Sequence, residues 1–480
     1  MKVIYVMADS FRRDHVGVYG YPPWGPVYTP NLDRFAKTAS VFDNAYIGSF
    51  PTVPNRRDTH LGRCEQNLAF NRWRPLDKNE TTFPAWLAEK GIPTMLITDS
   101  MNTVTRSCNI QRDYTAWAFN RGQEGEACWM DDTVPLKFNV PPEMIRYPAA
   151  RWRQILVNRT HRRQETDWFA PGTYSMAMDW LEKNYTRKDF FLWIDTFDPH
   201  EPWDPPQHYT DMYDPNYTGR VFEAPPYGIR GKMGITGREL RHIRARYAGE
   251  VSMVDHWFGC LMARLEALGI AGETAVIFNS DHGTCLDGPG DMGFIQKIPV
   301  ADADGFLVRA GRKPRPPMSY YPLSRNVARI PLIIRLPGRR TRPHISSVVQ
   351  PWDITATILE LFGISVPKQV IGRSVLPMLH GRKTQQRKTA VSGFHDRKPG
   401  SDSGYAQAMD GKWSYTVWRG ERGPALHHMI DDPDYRRNVI GKHPAVVKRL
   451  QKSIRDFMAL QEMDPEWVAR YSFEEQDRDI

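Results

Sequence analysis

Two largely apolar runs in this chain end in acidic residues, and these acids are the first candidates for chemistry. Residues 3–8 are followed by Asp9, and residues 275–280 are followed by Asp281 and His282. Such runs are typical of strands buried on both faces of a parallel sheet, and ligands bind beyond the carboxyl ends of such strands. Two carboxylates and an imidazole at one sheet edge need a compensating charge, which a divalent metal ion supplies most simply. Asp9 alone is more typical of a turn, and the second motif is what favours a metal site.

A third candidate lies in the segment 51–62. Pro54 suits the first turn of a helix and Gly62 suits its end, so Thr52 is predicted at or just before a helix N-terminus. Free amide N–H groups and the positive end of the helix dipole favour an anion there. Arg56, about one turn further on, adds a forked donor for oxyanions. Taken alone, Thr52 is more typical of a plain N-cap, so its meaning depends on the acids.

Strands and helices alternate between these motifs. Further strands are predicted at residues 94–98, 190–194 and 330–335, where short apolar runs are bounded by polar, Gly or Pro residues. The longest helix is predicted within 236–269, where apolar residues recur at steps of three and four. Shorter helices are predicted from Thr29, from Thr82, from Asp353 to Gly363 and over 444–460. This order predicts an α/β fold whose parallel strands bring the motifs to one edge.

The length and composition predict more than one domain. A chain of 480 residues exceeds the size at which a single core usually stops growing. Composition turns polar after residue 383, which predicts a catalytic α/β domain over 1–385 and a smaller α+β unit over 386–480. Residues 120–170 are rich in Arg, Trp and Pro, and residues 299–325 are rich in Pro and Gly. Both are predicted to be excursions over the sheet edge, where loops usually carry specificity.

Charge and cysteine content narrow the class of partner. The net charge of +9 favours an anionic ligand, but the 64 Lys and Arg residues are interspersed with 55 Asp and Glu residues. Because no nucleic-acid recognition motif is evident, a small acidic substrate is favoured over nucleic acid.

The five cysteines form no CxxC pair, which fits reduced thiols. No apolar stretch approaches the roughly 20 residues of a membrane span. The first strand starts directly after Met1 and Lys2 with no leader-like segment, so a cytoplasmic protein is expected. Homo-oligomerisation stays open.

Six motifs follow one another in an order that is more specific than any one of them. They are Asp9 after the first strand, Thr-Pro-Asn-Leu-Asp at 29–33, T-x-P-x-R at 52–56, Asp-Pro-His-Glu-Pro at 198–202, Ser-Asp-His-Gly at 280–283 and Arg-Ile-Pro-Leu-Ile-Ile at 329–334. Together they resemble the sulfatase-type members of the alkaline phosphatase superfamily, and the resemblance covers most of the chain. It implies a large doubly wound, mostly parallel sheet flanked by helices, a small C-terminal α+β subdomain, and ester hydrolysis at a metal site.

The resemblance assigns roles at the metal site by position. Asp9, Asp281 and His282 match metal ligands of the family. Thr52 matches the nucleophile that also touches the metal, and Arg56 matches the arginine that steadies the nucleophile.

It also implies residues that face the substrate. His200 matches a histidine that contacts the substrate or the leaving group. Lys297 stands near the place of a lysine that follows the Ser-Asp-His-Gly turn, beside a Pro-rich insertion. Thr98 and Ser100 stand near a stretch where the family has Gly-Lys-Trp-His, and they are the substrate-binding candidates there.

Three departures separate this chain from the common sulfatases that it resembles. Thr52 stands where those enzymes have a Cys or Ser that is oxidised to formylglycine, and Thr cannot be converted to that aldehyde. Ser10 replaces a second acid and His282 replaces an Asn. The Gly-Lys-Trp-His stretch is replaced near residues 98–100, so one sulfate-binding lysine is absent. This set is more similar to phosphonate monoester hydrolases and phosphodiesterases, in which His follows Asp at the metal.

Chemistry favours the same subtype. A formylglycine hydrate expels sulfate by collapsing to the aldehyde, whereas an ester of Thr52 must be cleared by water. In-line attack of water on phosphorus beside a metal ion is a familiar route for that step. The leading hypothesis is therefore a phosphodiesterase or phosphonate monoester hydrolase. In it Thr52 attacks phosphorus, Arg56 and the helix N-terminus hold the charge, and His200 protonates the leaving group. The alternatives are a sulfatase that works without formylglycine and a non-catalytic binding protein on the same scaffold.

The ligand set favours one Mn²⁺ or Zn²⁺ ion, with Ca²⁺ as a further candidate, because an imidazole joins the oxygen ligands. A second metal site would need another acid and histidine set, and Asp195, Asp198 and His395 lack suitable spacing. The basic run 151–163 is either a grip for a polyanion or, as the composition favours, a solvated helix face.

Overall fold

The computed structural model describes residues 1–64, 73–104, 108–228, 230–291, 300–301, 319–320, 322–338, 344–382, 384, 387–395, 404–420 and 422–473. Its strands, in chain order, are β1 (Lys2–Ala8), β2 (Ser40–Tyr46), β3 (Thr94–Thr98), β4 (Ala116–Phe119), β5 (Phe190–Thr196), β6 (Thr274–Ser280), β7 (Val300–Ala301), β8 (Ser319–Tyr320), β9 (Arg329–Ile330), β10 (Leu332–Arg335), β11 (His344–Val349), β12 (Ala390–His395), β13 (Gly404–Met409), β14 (Trp413–Trp418) and β15 (Ala425–His428).

Nine of these strands form one large sheet. Their spatial order is β11-β2-β10-β6-β1-β5-β3-β4, with β9 beside β2. Strand β1 pairs in parallel with β5 on one side and with β6 on the other, and β3 continues the parallel set next to β5. The carboxyl ends of these four strands therefore lie side by side at one edge of the sheet.

Strand β1 shows why the centre of the sheet is apolar on both faces. Ile4 and Val6 belong to the core on one face, and Tyr5 and Met7 belong to the core on the other face. Successive side chains of a strand point to opposite faces, so a strand covered on both sides needs a continuous apolar run. This is the pattern that predicted the strand from the sequence.

Helices cover both faces of the sheet. Helices α1, α6 and α8 contribute to the core on one face, while α3 and α10 contribute to the other. Helix α8 begins with a capping box formed by Thr236 and Glu239. In chain order the helices are α1 (Pro30–Ala36), α2 (Thr52–Leu61), α3 (Phe83–Glu89), α4 (Met101–Val104), α5 (Ala149–Arg159), α6 (Phe169–Asn184), α7 (Gln207–Asp211), α8 (Gly237–Ala267), α9 (Arg325–Ala328), α10 (Pro351–Leu361), α11 (Leu376–Leu379), α12 (Pro444–Leu460) and α13 (Pro465–Val468).

The sheet is mixed rather than uniformly parallel. Strand β10 runs antiparallel to both of its neighbours, β6 and β2. The prediction of one continuous strand over 330–335 is wrong, because the backbone divides at Pro331 into β9 and β10. Proline has no N–H to donate to a ladder, so it is seldom found inside a paired strand. The predicted large α/β fold is otherwise confirmed.

The C-terminal part forms a second, antiparallel sheet in the order β12-β13-β14-β15. Leu450 and Ile454 of α12 share a core with Ala406 of β13 and Val417 of β14, so the helix packs against this sheet. The smaller α+β subdomain is thus confirmed, whereas the boundary at residue 386 stays a prediction. Among the described residues, no helix combines the length and the apolar character needed to cross a bilayer. The five cysteines are free thiols.

Candidate metal centre and nucleophile

Two adjacent strands deliver the three candidate metal ligands. Strand β1 ends at Asp9, and β6 ends immediately before Asp281 and His282. All three side chains are fully buried, and one ligand atom of each lies within 4.8 Å of the others. This is the convergence that parallel strand ends produce.

The hydrogen bond at the back of His282 fixes which ring nitrogen can be a ligand. Its Nδ1 atom lies 2.8 Å from the carbonyl oxygen of Gly283, which can only accept, so Nδ1 carries the proton. In the neutral ring Nε2 is then the acceptor, and it lies 3.5 Å from Asp281 Oδ2 and 3.9 Å from Asp9 Oδ1. A nitrogen lone pair facing two carboxylates is unfavourable unless a cation lies between them.

Ser10 orients both acids. Its main-chain N–H donates to Asp281 Oδ1 over 2.9 Å, and its hydroxyl donates to Asp9 Oδ1 over 2.7 Å. The N–H of His282 donates to the same Asp281 oxygen over 2.7 Å. Ser10 has a φ of +62°, an uncommon value for a residue with a side chain. The residue that replaces a second acid therefore acts on the two acids that remain.

Arg56 ties the acids of three strands together. Its Nε lies 3.0 Å from Asp195 Oδ2 and its Nη2 lies 2.7 Å from Asp195 Oδ1, which makes a forked pair. Its Nη1 donates to Asp281 Oδ2 over 2.6 Å and to Asp9 Oδ2 over 3.2 Å. Burial lowers the pKa of Arg56, but Asp195, Asp281 and Asp9 together hold it well above its usual value. Its guanidinium is a fixed positive charge.

The residues present fit a divalent cation. When all are ionised, three buried carboxylates and one guanidinium carry a net charge of −2. One divalent cation would balance that charge. Burial and then the charge of Asp281 raise the pKa of Asp9, and Arg56 offsets this only in part. Carboxylate oxygens and a neutral imidazole nitrogen are donors that divalent metals accept. Asp9, Asp281 and His282 could hold such an ion.

Thr52 is the first residue of α2 and does not cap it. Pro51 occupies the N-cap position and no side chain makes a capping hydrogen bond. The Thr52 hydroxyl, 2% exposed, lies 3.4 Å from His282 Nε2, at the edge of the metal-ligand cluster. The alternative of a plain N-cap is therefore wrong, and the hydroxyl faces the cluster instead.

His200 lies on the loop after β5. Its ring stacks on Phe197 with centroids 4.1 Å apart, and its Nδ1 donates to the carbonyl oxygen of Glu201 over 2.7 Å. Since Nδ1–H is used in this way, proton transfer falls to Nε2. The buried carboxyl of Glu124 interacts electrostatically with His200. Burial raises the pKa of Glu124, but His200 and then Arg146 bring it below its usual value.

Sequence reasoning missed this group of charges around His200. The Glu124 carboxylate accepts from Tyr147 over 2.7 Å and from Arg151 over 3.0 Å, and Arg146 pairs with both Glu124 and Glu201. Glu124, Arg146 and Tyr147 come from the irregular segment 120–170, where no periodicity or motif marks them. The charges of these acids and arginines neutralise one another only when the fold brings them together.

The remaining site predictions have different outcomes. Thr98 is fully buried and its hydroxyl lies 3.3 Å from Asp195 Oδ2, so it supports the partner of Arg56. The N–H of Ser100 donates to the Thr98 hydroxyl over 3.0 Å, and Ser100 is itself buried. Lys297 lies outside the described residues. Asp195 is bound by Arg56 rather than by a second metal set, and the acid at the end of β5 was a signal that could have marked it.

Comparison with known proteins identifies the protein family. A model of the sulfatase family matches residues 2–364, and a model of the C-terminal region of N-sulphoglucosamine sulphohydrolase matches residues 323–459. The first match covers more than half of the chain. The chain therefore belongs to the sulfatase family and is a hydrolase of sulfate or phosphate esters.

Individual relatives are distant but nearly full in length. The chain is 24% identical to arylsulfatase K of Xenopus laevis over 95% of this chain and 82% of that protein. It is 24% identical to an arylsulfatase of Clostridium perfringens over 94% of each chain. A phosphonate monoester hydrolase from Silicibacter pomeroyi has a similar fold, with a TM-score of 0.70, 19% identity and coverage of 97% of this chain and 96% of that chain.

Proposed function

We propose that this protein is a metal-dependent hydrolase of phosphodiesters or phosphonate monoesters that uses Thr52 as its nucleophile. The observation that supports the proposal most strongly is the position of the Thr52 hydroxyl. It lies 3.4 Å from His282 Nε2, beside the buried acids Asp9 and Asp281, and caps no helix. The hydroxyl therefore contacts a candidate metal ligand rather than the helix N-terminus at which it stands.

Each residue has a separate part in the reaction. The Thr52 hydroxyl loses its proton to water and its oxygen attacks phosphorus, so that a Thr52 O–P bond forms and the bond to the leaving oxygen breaks. The first amides of α2 hold negative charge that develops on the phosphoryl oxygens, while Arg56 holds Thr52 in place through its carbonyl oxygen. His200 gives a proton to the leaving oxygen, and water then cleaves the Thr52 ester. When bound, a divalent ion lowers the pKa of a hydroxyl that it contacts and neutralises charge on the phosphoryl group.

The metal is proposed to be Mn²⁺ or Zn²⁺. Members of the sulfatase family bind a divalent metal, typically Ca²⁺ or Mg²⁺. The donor set here includes the imidazole of His282, and imidazole suits Mn²⁺ and Zn²⁺ better than Ca²⁺, which prefers oxygen.

The test is elemental analysis of the purified protein together with an ester panel. The panel contains bis-4-nitrophenyl phosphate, an aryl phenylphosphonate and 4-nitrophenyl sulfate. We expect the phosphorus esters to be cleaved fastest, Thr52→Ala to lose at least 100-fold in kcat, and Thr52→Ser to keep most of the activity because it keeps the hydroxyl. Metal content should stay the same in Thr52→Ser. Full activity of Thr52→Ala would refute the assignment of Thr52 as the nucleophile.

A sulfatase that works without formylglycine is the second candidate. The family match and the names of the arylsulfatase relatives favour it. It shares the site and differs in substrate, so the same panel separates the two. Turnover of 4-nitrophenyl sulfate that exceeds turnover of both phosphorus esters would place the sulfatase first. The Thr52 side chain argues against this candidate. A sulfate ester of Thr52 could be released only by attack of water at sulfur.

A further inference from the structure

A groove of about 630 Å³ opens beside the carboxyl end of β4, within the irregular segment 120–170. Its walls come from the residues after β4, from the loop that follows, and from the turn between α5 and α6. The residues that matter most for binding are Arg121, Trp129, His161, Arg162, Arg163 and Phe169. None of them takes part in the metal centre.

The basic run beside this groove divides into two kinds of arginine. Arg151, Arg159 and Arg162 are partly buried in ion pairs with Glu124 or Asp204, so the expected solvated helix face is wrong for these three. Arg163 differs, because its side chain is 84% exposed and, among the described residues, its acidic neighbour is Asp167, 3.8 Å away.

That acidic neighbour is engaged elsewhere. Oδ2 of Asp167 accepts the main-chain N–H of Arg163 over 2.7 Å and of Gln164 over 3.1 Å. These backbone bonds lower the pKa of Asp167 and hold its carboxylate in the turn. The Arg163 guanidinium is therefore weakly held, and a long exposed arginine of this kind can form a forked pair with an incoming carboxylate, sulfate or phosphate.

An aromatic surface lies in the same groove. The ring of Trp129 stacks on His161 with centroids 4.1 Å apart and an interplanar angle of 16°. Trp129 nevertheless remains 49% exposed. A large exposed indole beside positive charge is a suitable surface for a flat ring that carries an anionic group.

The groove lies close enough to the metal centre to be reached by one substrate. Strand β4 is three strands away from β1 and four strands away from β6, the strands that Asp9 and Asp281 follow, which is about 14 Å and about 19 Å at the usual strand spacing. A narrow crevice shares Arg162 and Phe169 with the groove and is also lined by Glu124 and Pro202. Pro202 follows His200 by two residues, so one wall of the crevice belongs to the same loop as His200.

We propose that this groove is a subsite for the leaving part of the substrate. The substrate class is an ester whose leaving group consists of two linked rings and bears a carboxylate, sulfate or phosphate at its far end. Arg163 binds the anionic group and Trp129 supports the ring that carries it. This inference rests on the proposed function, since it places the scissile ester at the metal centre.

A matched pair of esters tests the proposal on the full-length, metal-loaded enzyme. One is methyl biphenyl-4-yl phosphate, and the other carries a carboxylate at the 4′ position of the same biphenyl group. We expect KM for the carboxylate ester to be about tenfold lower, the effect of one charge-assisted hydrogen bond. Arg163→Gln should remove most of this advantage, and Trp129→Ala should raise KM for both esters, because both carry the ring that Trp129 supports.

Arg436→Gln is the matched control. Arg436 is 79% exposed and pairs with Asp434 over 3.0 Å, in the C-terminal subdomain. Arg436→Gln should keep the full tenfold difference in KM between the two esters, about as large as in the unchanged protein. Equal KM values for the two esters, an advantage that survives in Arg163→Gln, or unchanged KM values in Trp129→Ala would overturn the proposal.

A binding measurement separates this inference from the proposed reaction. Biphenyl-4-carboxylate is titrated into Thr52→Ala protein by calorimetry, so no turnover is needed. We expect binding that weakens about tenfold when Arg163→Gln is added. If neither ester is cleaved but this binding is seen, the proposed reaction fails and the groove stands. If the esters are cleaved but the carboxylate does not bind, or binds equally without Arg163, the groove assignment fails.

Discussion

The guanidinium of Arg56 contacts carboxylates that follow or end three different strands. Its Nε and Nη2 face Asp195, while Nη1 is shared between Asp281 and Asp9. Nη1 also donates to the carbonyl oxygen of Thr52 over 3.2 Å. Since all of these groups are buried, the fork cannot be replaced by water when one partner is lost. The position of Thr52 therefore depends on an acid that touches neither Thr52 nor the candidate ligands directly.

Asp195→Asn tests this dependence. The substitution keeps the shape of the side chain and removes the charge that fixes the Arg56 fork, so we expect kcat to fall about 10- to 100-fold with metal content unchanged. The measurement is kcat and KM on bis-4-nitrophenyl phosphate, together with elemental analysis. Thr98→Val removes the 3.3 Å hydrogen bond to Asp195 and the bond from the N–H of Ser100 but keeps the Asp195 charge, so it should cost less. Loss of the metal in Asp195→Asn would instead make Asp195 a ligand.

Helix α2 is the element that carries both Thr52 and Arg56, and its two ends are fixed in different ways. Asp58 accepts from the N–H of Ser49 over 2.6 Å, which folds the segment before the helix back onto it. At the other end Gly62 has a φ of +66°, the left-handed conformation that ends a helix. A Cβ at Gly62 would lie 2.8 Å from the side chain of Val370. Gly62 therefore serves both the turn and the close approach of its neighbours.

Gly62→Ala is expected to destabilise the protein by about 2 to 4 kcal/mol, from backbone strain plus overlap with Val370. Gly91→Ala is the matched control. Gly91 has a φ of +69° at the end of α3, but a Cβ there would meet nothing within 4 Å. It should cost only the strain, about 1 kcal/mol. Urea unfolding followed by circular dichroism measures both, and equal losses would show that the contact with Val370 adds nothing.

The sequence predicts some elements of this site well because their signals are local. Acids after β1 and β6 and the Pro and Gly at the two ends of α2 are read within ten residues, and the structure places them together. The partner of Arg56 lies 139 residues away along the chain, and no local pattern links the two. Glu124 is harder still, because it lies in an aperiodic segment with a φ of +52°. What the sequence could not predict is which charges neutralise which, since that depends on tertiary packing.

At the scale of the whole molecule, the C-terminal subdomain holds the segment that precedes Thr52. The hydroxyl of Ser392 on β12 donates to the carbonyl oxygen of Ile47 over 2.6 Å, and the N–H of Gly393 donates to Gly48 over 3.2 Å. Gln350 bridges the two parts, because its side-chain amide donates to Ile47 over 2.8 Å and to Val391 over 2.9 Å. The apolar core continues across this contact, and it includes Phe50 from the nucleophile side and Ala390, Tyr405, Met409 and Trp418 from the subdomain.

These contacts predict that the two sheets unfold as one unit and that the subdomain supports catalysis. A chain that ends at residue 385 removes one of the two donors to the carbonyl of Ile47 and leaves one side of a shared core without its partners, so we expect it to aggregate rather than fold. In the full chain, Ser392→Val should lower the unfolding midpoint and reduce kcat severalfold without touching any residue of the metal centre. Ser453→Ala, on the exposed side of α12, should change neither. Calorimetry and steady-state kinetics check these outcomes, and a soluble chain of 1–385 that cleaves the esters at the full rate would contradict them.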